Sequence, residues 1–303
     1  MKNLKFLLEY GLIRIASWLV SIIPFQWALK MAVPIGAALF AILNRLRQRT
    51  IESLKCAFPE KSEDEIKSIA KGAFVHLVEF GIEWLRMSAM IKNPEKYLIE
   101  VYHKEKIYAE LEKKNGAIVL ISHTGNWEIM ALMGGLLVSK PIGGSVYAVA
   151  RPLDNPYLYQ YAVEQRGGQG LKTIDKSGGV RETFDRLKKE NAIVCVLIDQ
   201  RVSEGSVETQ FFGRPALTTS LPIVAALRLN TPIFYNFLYR TKDLRYEMKV
   251  EGPISIERTG NFKKDIEVNT QKFVQRIEAE IRKQPSHWLW MHNRWRMAHG
   301  AKD

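Results

Sequence analysis

The stretch Ile118-Val119-Leu120-Ile121-Ser122-His123-Thr124-Gly125-Asn126-Trp127-Glu128 constrains the fold more than any other. Its short apolar run, bounded by polar and turn residues, reads as a buried strand. Asn126 suits a helix N-cap, and Glu128 then falls in the first turn of the next helix. On one continuous helix, neighbours lie three or four positions apart, so His123 and Glu128 can meet only if the chain turns between them. A strand end, a tight turn at Gly125 and a helix start provide that turn. The imidazole then stands at the carboxyl end of a strand, where open α/β sheets bind ligands. There it can take a proton from a hydroxyl, and a carboxylate on its second nitrogen fixes the tautomer and stabilises the imidazolium. The same residues also suit a plainer reading: a satisfied strand-end histidine and a glutamate that complements the helix dipole.

Downstream, strand and helix patterns alternate. Strand patterns occupy 117–122, 145–150, 192–198, 231–239 and 244–251. Helical ones occupy 127–138, the stretch after Pro156, 178–190, 218–229 and 264–283. This order predicts an α/β fold, a mainly parallel central sheet with helices on both faces. His123, Arg151 and Asp199 each follow a strand, which predicts that they converge. Residues 205–216 read as a loop whose aromatic, glycine and arginine content suits a lipid or phosphate-bearing ligand, and its Glu208 is a second carboxylate within possible reach of His123.

Residues 4–43 are the most apolar part of the chain, broken by Arg14, Pro24, Lys30 and Pro34. No uninterrupted piece reaches the ~20 residues of a clean spanning helix. The two prolines predict helices meeting at an angle. Arg45, Arg47 and Arg49 follow, the flank expected on the cytoplasmic side. The reading is a membrane-embedded or interfacial anchor over 1–45 and a catalytic domain over 46–303; the alternative is a pair of buried soluble helices. Ser62 and Glu65 fit a capping box opening an amphipathic helix that holds a structural His76. At the other end, 286–296 interleaves tryptophan and histidine with arginine, which suits a membrane surface; no recognised nucleic-acid motif accompanies it. The formal charge of +12 favours acidic partners: anionic lipid or an acidic carrier protein. Cys56 and Cys195 read as buried thiols, and no Cys/His cluster has zinc spacing.

With these residues laid out, the chain resembles the lysophospholipid acyltransferase superfamily and, within it, the lipid A biosynthesis late acyltransferases of the lauroyl/myristoyl type. His123 and Glu128 fit the family's His-x4-Asp/Glu motif. Ala57-Phe58-Pro59, Arg151-Pro152, Asn155-Pro156, Arg166, Asp199-Gln200, Phe211-Phe212-Gly213-Arg214-Pro215-Ala216 and Trp288-x-Trp290-x-His292-x-Arg294 fit further blocks. The His-Thr-Gly-Asn-Trp-Glu wording is closer to acyltransferases acting on phosphatidylinositol mannosides than to the core enteric lipid A enzymes. The resemblance implies transfer of a fatty acyl group from acyl carrier protein or coenzyme A to a hydroxyl of a membrane glycolipid, at the cytoplasmic face of the inner membrane. It implies His123 as base and Glu128 as its partner. An oxyanion site would come from amides near Gly125 and Asn126 or from Arg166, with Arg151 and Arg214 on phosphates. Asn155, Gln200 and Glu208 complete the expected substrate-binding set, and Asp199 is expected to hold one of the arginines. No cofactor or metal is expected, because the thioester arrives activated. Two rivals stand beside this reading: a non-enzymatic membrane-bound binding protein, and a metal-dependent hydrolase built on His123, Glu128 and Asp199.

Overall fold

The computed structural model of the chain describes residues 2–142, 144–167, 170–175 and 179–295. Gly178, expected to open a helix, and Arg296, in the aromatic-basic stretch, lie outside the described residues. Four helices come first: α1 (Lys2–Ile22), α2 (Phe25–Ile42), α3 (Asn44–Ala57) and α4 (Glu63–Leu85). Two short helices follow, α5 (Met87–Lys92) and α6 (Pro94–Tyr97), then β1 (Leu98–Tyr102) and α7 (Lys104–Glu112). The alternating body runs β2 (Ala117–Ile121), α8 (Trp127–Ile142), β3 (Val146–Ala150), α9 (Pro156–Gly167), β4 (Leu171–Asp175), α10 (Gly179–Glu190) and β5 (Ile193–Leu197). A hairpin of β6 (Ser206–Phe211) and β7 (Arg214–Thr219) precedes α11 (Leu221–Leu229), β8 (Ile233–Arg240), β9 (Tyr246–Glu251) and α12 (Phe262–Lys283).

The seven strands of the main sheet are ordered β1-β9-β8-β2-β5-β3-β4. From β8 to β4 every pairing is parallel; β9 runs antiparallel to β8. A mainly parallel sheet is stable only when both faces are covered, and β2, buried along its whole length, reads accordingly as a continuous apolar run. Ile118 and Leu120 face a core shared with α3, α4, α11 and α12. Ala117, Val119 and Ile121 face a second core with α7 and α8.

Several expectations change. The 205–216 stretch is the antiparallel β6–β7 hairpin, not a loop, with Phe211 and Phe212 buried and Gly213 at its turn. Its outer edge is capped by α12: Gln271 accepts from the Gln210 amide (2.7 Å) and donates to the Gln210 carbonyl (2.9 Å). Thr218 and Thr219 end β7 rather than start a helix. Pro24 separates α1 from α2, but Pro34 lies inside α2 without breaking it. The 286–296 aromatic stretch is largely core: Trp288, Trp290 and Arg294 are buried. Cys195 is buried, whereas Cys56 is partly exposed.

The first two helices rest on the body by one side only. Arg86 donates to the carbonyls of Val20 and Ile23 at the end of α1, a cation where the helix dipole is negative. Arg47 does the same for Phe40 and Ala41 at the end of α2, at 3.0 and 2.9 Å. The opposite side exposes Leu4, Leu8, Leu12, Ile15, Trp18 and Ile22 of α1 and Trp27, Met31, Val33 and Ile42 of α2. Helix α2 is long and apolar enough to cross a membrane.

Helix α2 meets α4 at Gly36, where a Cβ would stand 2.5 Å from the Val75 backbone. Gly36→Ala must push the helices apart, and overpacking of this kind costs ~1–3 kcal/mol. The thermal midpoint in detergent should fall. Gly11→Ala, with nothing within 4 Å of the added carbon, is the control and should not lower it.

Candidate active site

Strands β2 and β5 are neighbours in the sheet, and Ile121 is in register with Leu197. Two residues further on, each chain leaves its strand, and the same register brings His123 beside Asp199. His123 Nδ1 lies 2.8 Å from Asp199 Oδ1, and the His123 backbone amide donates to Asp199 Oδ2 at 2.6 Å. Trp288 Nε1 donates to the same oxygen at 2.7 Å. Burial alone would raise the pKa of this carboxyl; the neighbouring His123 and these donors outweigh it and hold Asp199 below its ordinary value. An ionised carboxylate only accepts, so the imidazole proton sits on Nδ1 and the lone pair on Nε2. That nitrogen lies 2.9 Å from the side-chain amide of Gln200. The Trp127 ring meets His123 edge-on at 4.7 Å and stacks on Phe80 at 4.2 Å.

The profile of the bacterial lipid A biosynthesis acyltransferases matches residues 3–297. The chain belongs to that family. A phosphatidylinositol mannoside acyltransferase of Mycolicibacterium smegmatis is 22% identical over 280 residues, covering 89% of this chain and 88% of that protein. One from Mycobacterium tuberculosis (strain ATCC 25618 / H37Rv) is 32% identical over 111 residues, 36% of this chain and 33% of its own length.

In this acyltransferase the carboxylate on His123 is Asp199, and Glu128 is engaged elsewhere. Arg166, from the last turn of α9, grips Glu128 through Nε at 2.9 Å and Nη2 at 2.5 Å. The fork is bidentate and mostly buried, so Glu128 is committed to Arg166. This corrects one expectation: the carboxylate hydrogen-bonded to His123 is Asp199, not Glu128. Among the described residues, Asp199 holds no arginine side chain by hydrogen bond; it holds the histidine.

The turn between them is clamped from both sides. Gly125, at φ +66°, adopts a conformation that glycine takes without strain. Its amide donates to the His287 carbonyl at 3.0 Å, which removes it from the expected oxyanion donors. The Leu289 amide donates to the His123 carbonyl at 3.2 Å. Asn126 caps α8 through the Ile129 amide (3.0 Å) and donates to Glu83 at 2.7 Å. Arg240 bridges Glu83 and Glu79 of α4 at 2.6 and 2.5 Å, completing a charged support under the turn.

The remaining residues of the expected set lie outside this cluster. Arg151 is exposed and faces Asp154 at 3.4 Å. Asn155 caps α9, accepting from Tyr157 and Leu158, and donates to the Phe6 carbonyl and to Glu9 (2.9 and 3.0 Å), tying α1 to the body. Glu208 is exposed on β6, on the side opposite to buried Thr209 and Phe211, so it does not reach His123. Arg214 is exposed, over Trp295 and against the Cys56 thiol. Burial pushes the Cys195 thiol up to about 12, which makes it a poor nucleophile. Among the described residues, no group of three or more His, Cys, Asp or Glu could hold a metal ion.

Two participants escaped the sequence reading: Trp288 on Asp199, and His287, which packs on His76, the histidine expected to be structural. The two imidazoles stack at 4.4 Å, with His76 Nε2 3.3 Å from the Gly125 carbonyl. The block containing Trp288 was visible, but nothing local distinguishes a tryptophan that faces lipid from one that donates inward.

Burial, followed by the neighbouring His76, pushes His287 down from 6.5 to about 4. The unfolded chain therefore binds a proton here before the folded one does, and stability rises with pH across that window. The contribution is fully present above about 6.5 and is lost as pH falls toward about 4. Acid unfolding of His287→Phe, which keeps a flat ring in the stack, should accordingly lose less stability between pH 6.5 and 4 than wild type. Equal losses measured by denaturant titration would show that His287 does not carry this dependence.

Proposed function

We propose that this acyltransferase moves a fatty acyl group from an acyl thioester to a hydroxyl of a membrane glycolipid, with His123 as general base and Asp199 behind it. The observation that carries the proposal is the Asp199–His123 pair at 2.8 Å, with the Nε2 lone pair turned away from the carboxylate. The acceptor hydroxyl gives its proton to Nε2 as its oxygen bonds to the thioester carbon. Asp199 stabilises the imidazolium that forms. The C–S bond then breaks, and the thiolate takes the proton back from His123. No protein nucleophile is needed. The start of α8 offers oxyanion donors, because the Trp127 and Glu128 amides have no intrahelical partner.

A glycolipid acceptor is supported by the family and by the two mannoside-acylating relatives. Membrane attachment is supported by the exposed apolar sides of α1 and α2, too large a patch for a protein that meets only water. Arg45, Arg47 and Arg49 beside α2 favour the cytoplasmic face of the inner membrane, where acyl thioesters are available.

The dyad is tested by comparing its two candidate carboxylates. His123→Ala and Asp199→Asn should each lower single-turnover transfer by about two to four decades, with the fold intact. Glu128→Gln leaves Arg166 partly unpaired and should act mainly on thermal stability. If Glu128→Gln matched His123→Ala in rate while Asp199→Asn did not, Asp199 would not be the partner.

The charge balance favours acyl carrier protein over coenzyme A as donor, because such carriers are small and acidic. Steered association weakens with ionic strength, as exposed charges are screened beyond ~8–10 Å. With a detergent-solubilised acceptor, the second-order rate on acyl carrier protein should fall steeply between low and moderate salt, mostly through KM. A rate flat in salt would assign the +12 to the anionic membrane surface alone.

A further inference from the structure

Both nitrogens of His123 are occupied. Nδ1 faces Asp199, and Nε2 faces the Gln200 amide nitrogen at 2.9 Å. A neutral imidazole carries one N–H, and Asp199 requires it on Nδ1. The group against the Nε2 lone pair must therefore be a donor, which orients the amide with its NH2 toward the ring. The lone pair that has to accept the proton is thus already taken, by the residue next to the carboxylate that orients the ring. Gln200 itself is partly exposed, so its side chain has solvent to swing into.

We infer that Gln200 is a displaceable plug on the catalytic base, which keeps water off Nε2 and yields only to a bound acceptor hydroxyl. The inference rests on His123 acting as the base for acyl transfer. A base able to deprotonate a sugar hydroxyl can also deprotonate water. In that side reaction water gives a proton to Nε2 and its oxygen bonds to the acyl carbon. The C–S bond then breaks, the thiolate takes the proton from the imidazolium, and the products are a fatty acid and a free thiol. A tethered amide competes well with water for one lone pair, because its effective concentration is high and it is already oriented. The acceptor brings contacts from the rest of its lipid, and that remote binding energy can drive the amide aside. Water has no such contacts. Gln200 would therefore bias the enzyme toward transfer without touching either reacting bond.

The test is acceptor-free hydrolysis by the full-length protein in detergent. The donors are dodecanoyl and hexadecanoyl thioesters of coenzyme A and of acyl carrier protein, and the readout is released thiol. Gln200→Ala opens the site, and Gln200→Met keeps the side-chain length but removes the donor. Both should raise hydrolysis about tenfold or more over wild type, and adding His123→Ala to either should abolish the gain. Unchanged or lower hydrolysis in both variants overturns the plug. A rise in Gln200→Ala alone overturns the part assigned to the amide, since bulk would then do the shielding. If His123→Ala leaves transfer intact, it is the base assignment that fails instead. Gln200→Glu supplies a readout that a merely loosened site would not move. A carboxylate against Nε2 favours the imidazolium, so the acid limb of the pH–rate profile should shift upward by about one unit. An unshifted limb would mean that residue 200 does not contact the working nitrogen.

Discussion

Everything chemical in this protein hangs on the parallel pairing of β2 with β5. The register that sets Ile121 opposite Leu197 also sets His123 opposite Asp199 two residues later. The sheet does more than bring the two together. It supplies the His123 backbone amide as a second donor to the same carboxylate, so backbone and side chain of one residue hold Asp199 at once. A fully buried carboxylate is costly unless its lone pairs are satisfied, and here the third donor comes from Trp288. The pair is therefore anchored on the central strands beneath it, as the proposed general-base role of His123 requires.

The outer layers serve that centre from different distances. Helix α4 sends Glu83 to Asn126, and so to the start of α8. Glu128, in the first turn of α8, is locked to Arg166 of α9. This ion pair joins the helices that follow β2 and β3, strands separated in the sheet by β5, and its burial makes it sensitive to loss of either member. His123 and Glu128 thus make different contacts here: the histidine meets Asp199 and Gln200, and the glutamate holds Arg166.

The central architecture was legible because buried parallel strands leave a strong local trace. The apolar runs of β2 and β5 are flanked by turn and polar residues, and the helices between them are periodic. The edge strands β1 and β4 were not legible: 98–102 and 171–175 mix charged and apolar residues, as strands covered on few sides do. The β6–β7 hairpin reads as loop because Gly213 and Pro215 dominate a short window, while what makes it sheet is the cross-strand pairing and the α12 glutamine at its edge. The partner of His123 was misassigned for a related reason. Spacing points to a carboxylate five residues away; the one hydrogen-bonded to the ring is 76 residues away and is brought there by register, which no local pattern encodes. Arg294 and Trp288 are the same case, an arginine and a tryptophan whose inward partners, Thr218 and Asp199, belong to distant elements.

The clamp of residues 287–289 over the 123–125 turn has a consequence for how the molecule is made. Trp288 follows Asp199 by 89 residues, and Leu289 reaches back to His123 across most of the body. On the ribosome, β2 and β5 emerge and can pair long before this segment exists. Loop closure over so long a separation is entropically expensive and slow, and it comes after the local helices have formed. Until then Asp199 lacks one donor and the Gly125 turn lacks its backbone partner. The growing chain can therefore acquire its first helices and its sheet first, and its competence for acyl transfer last.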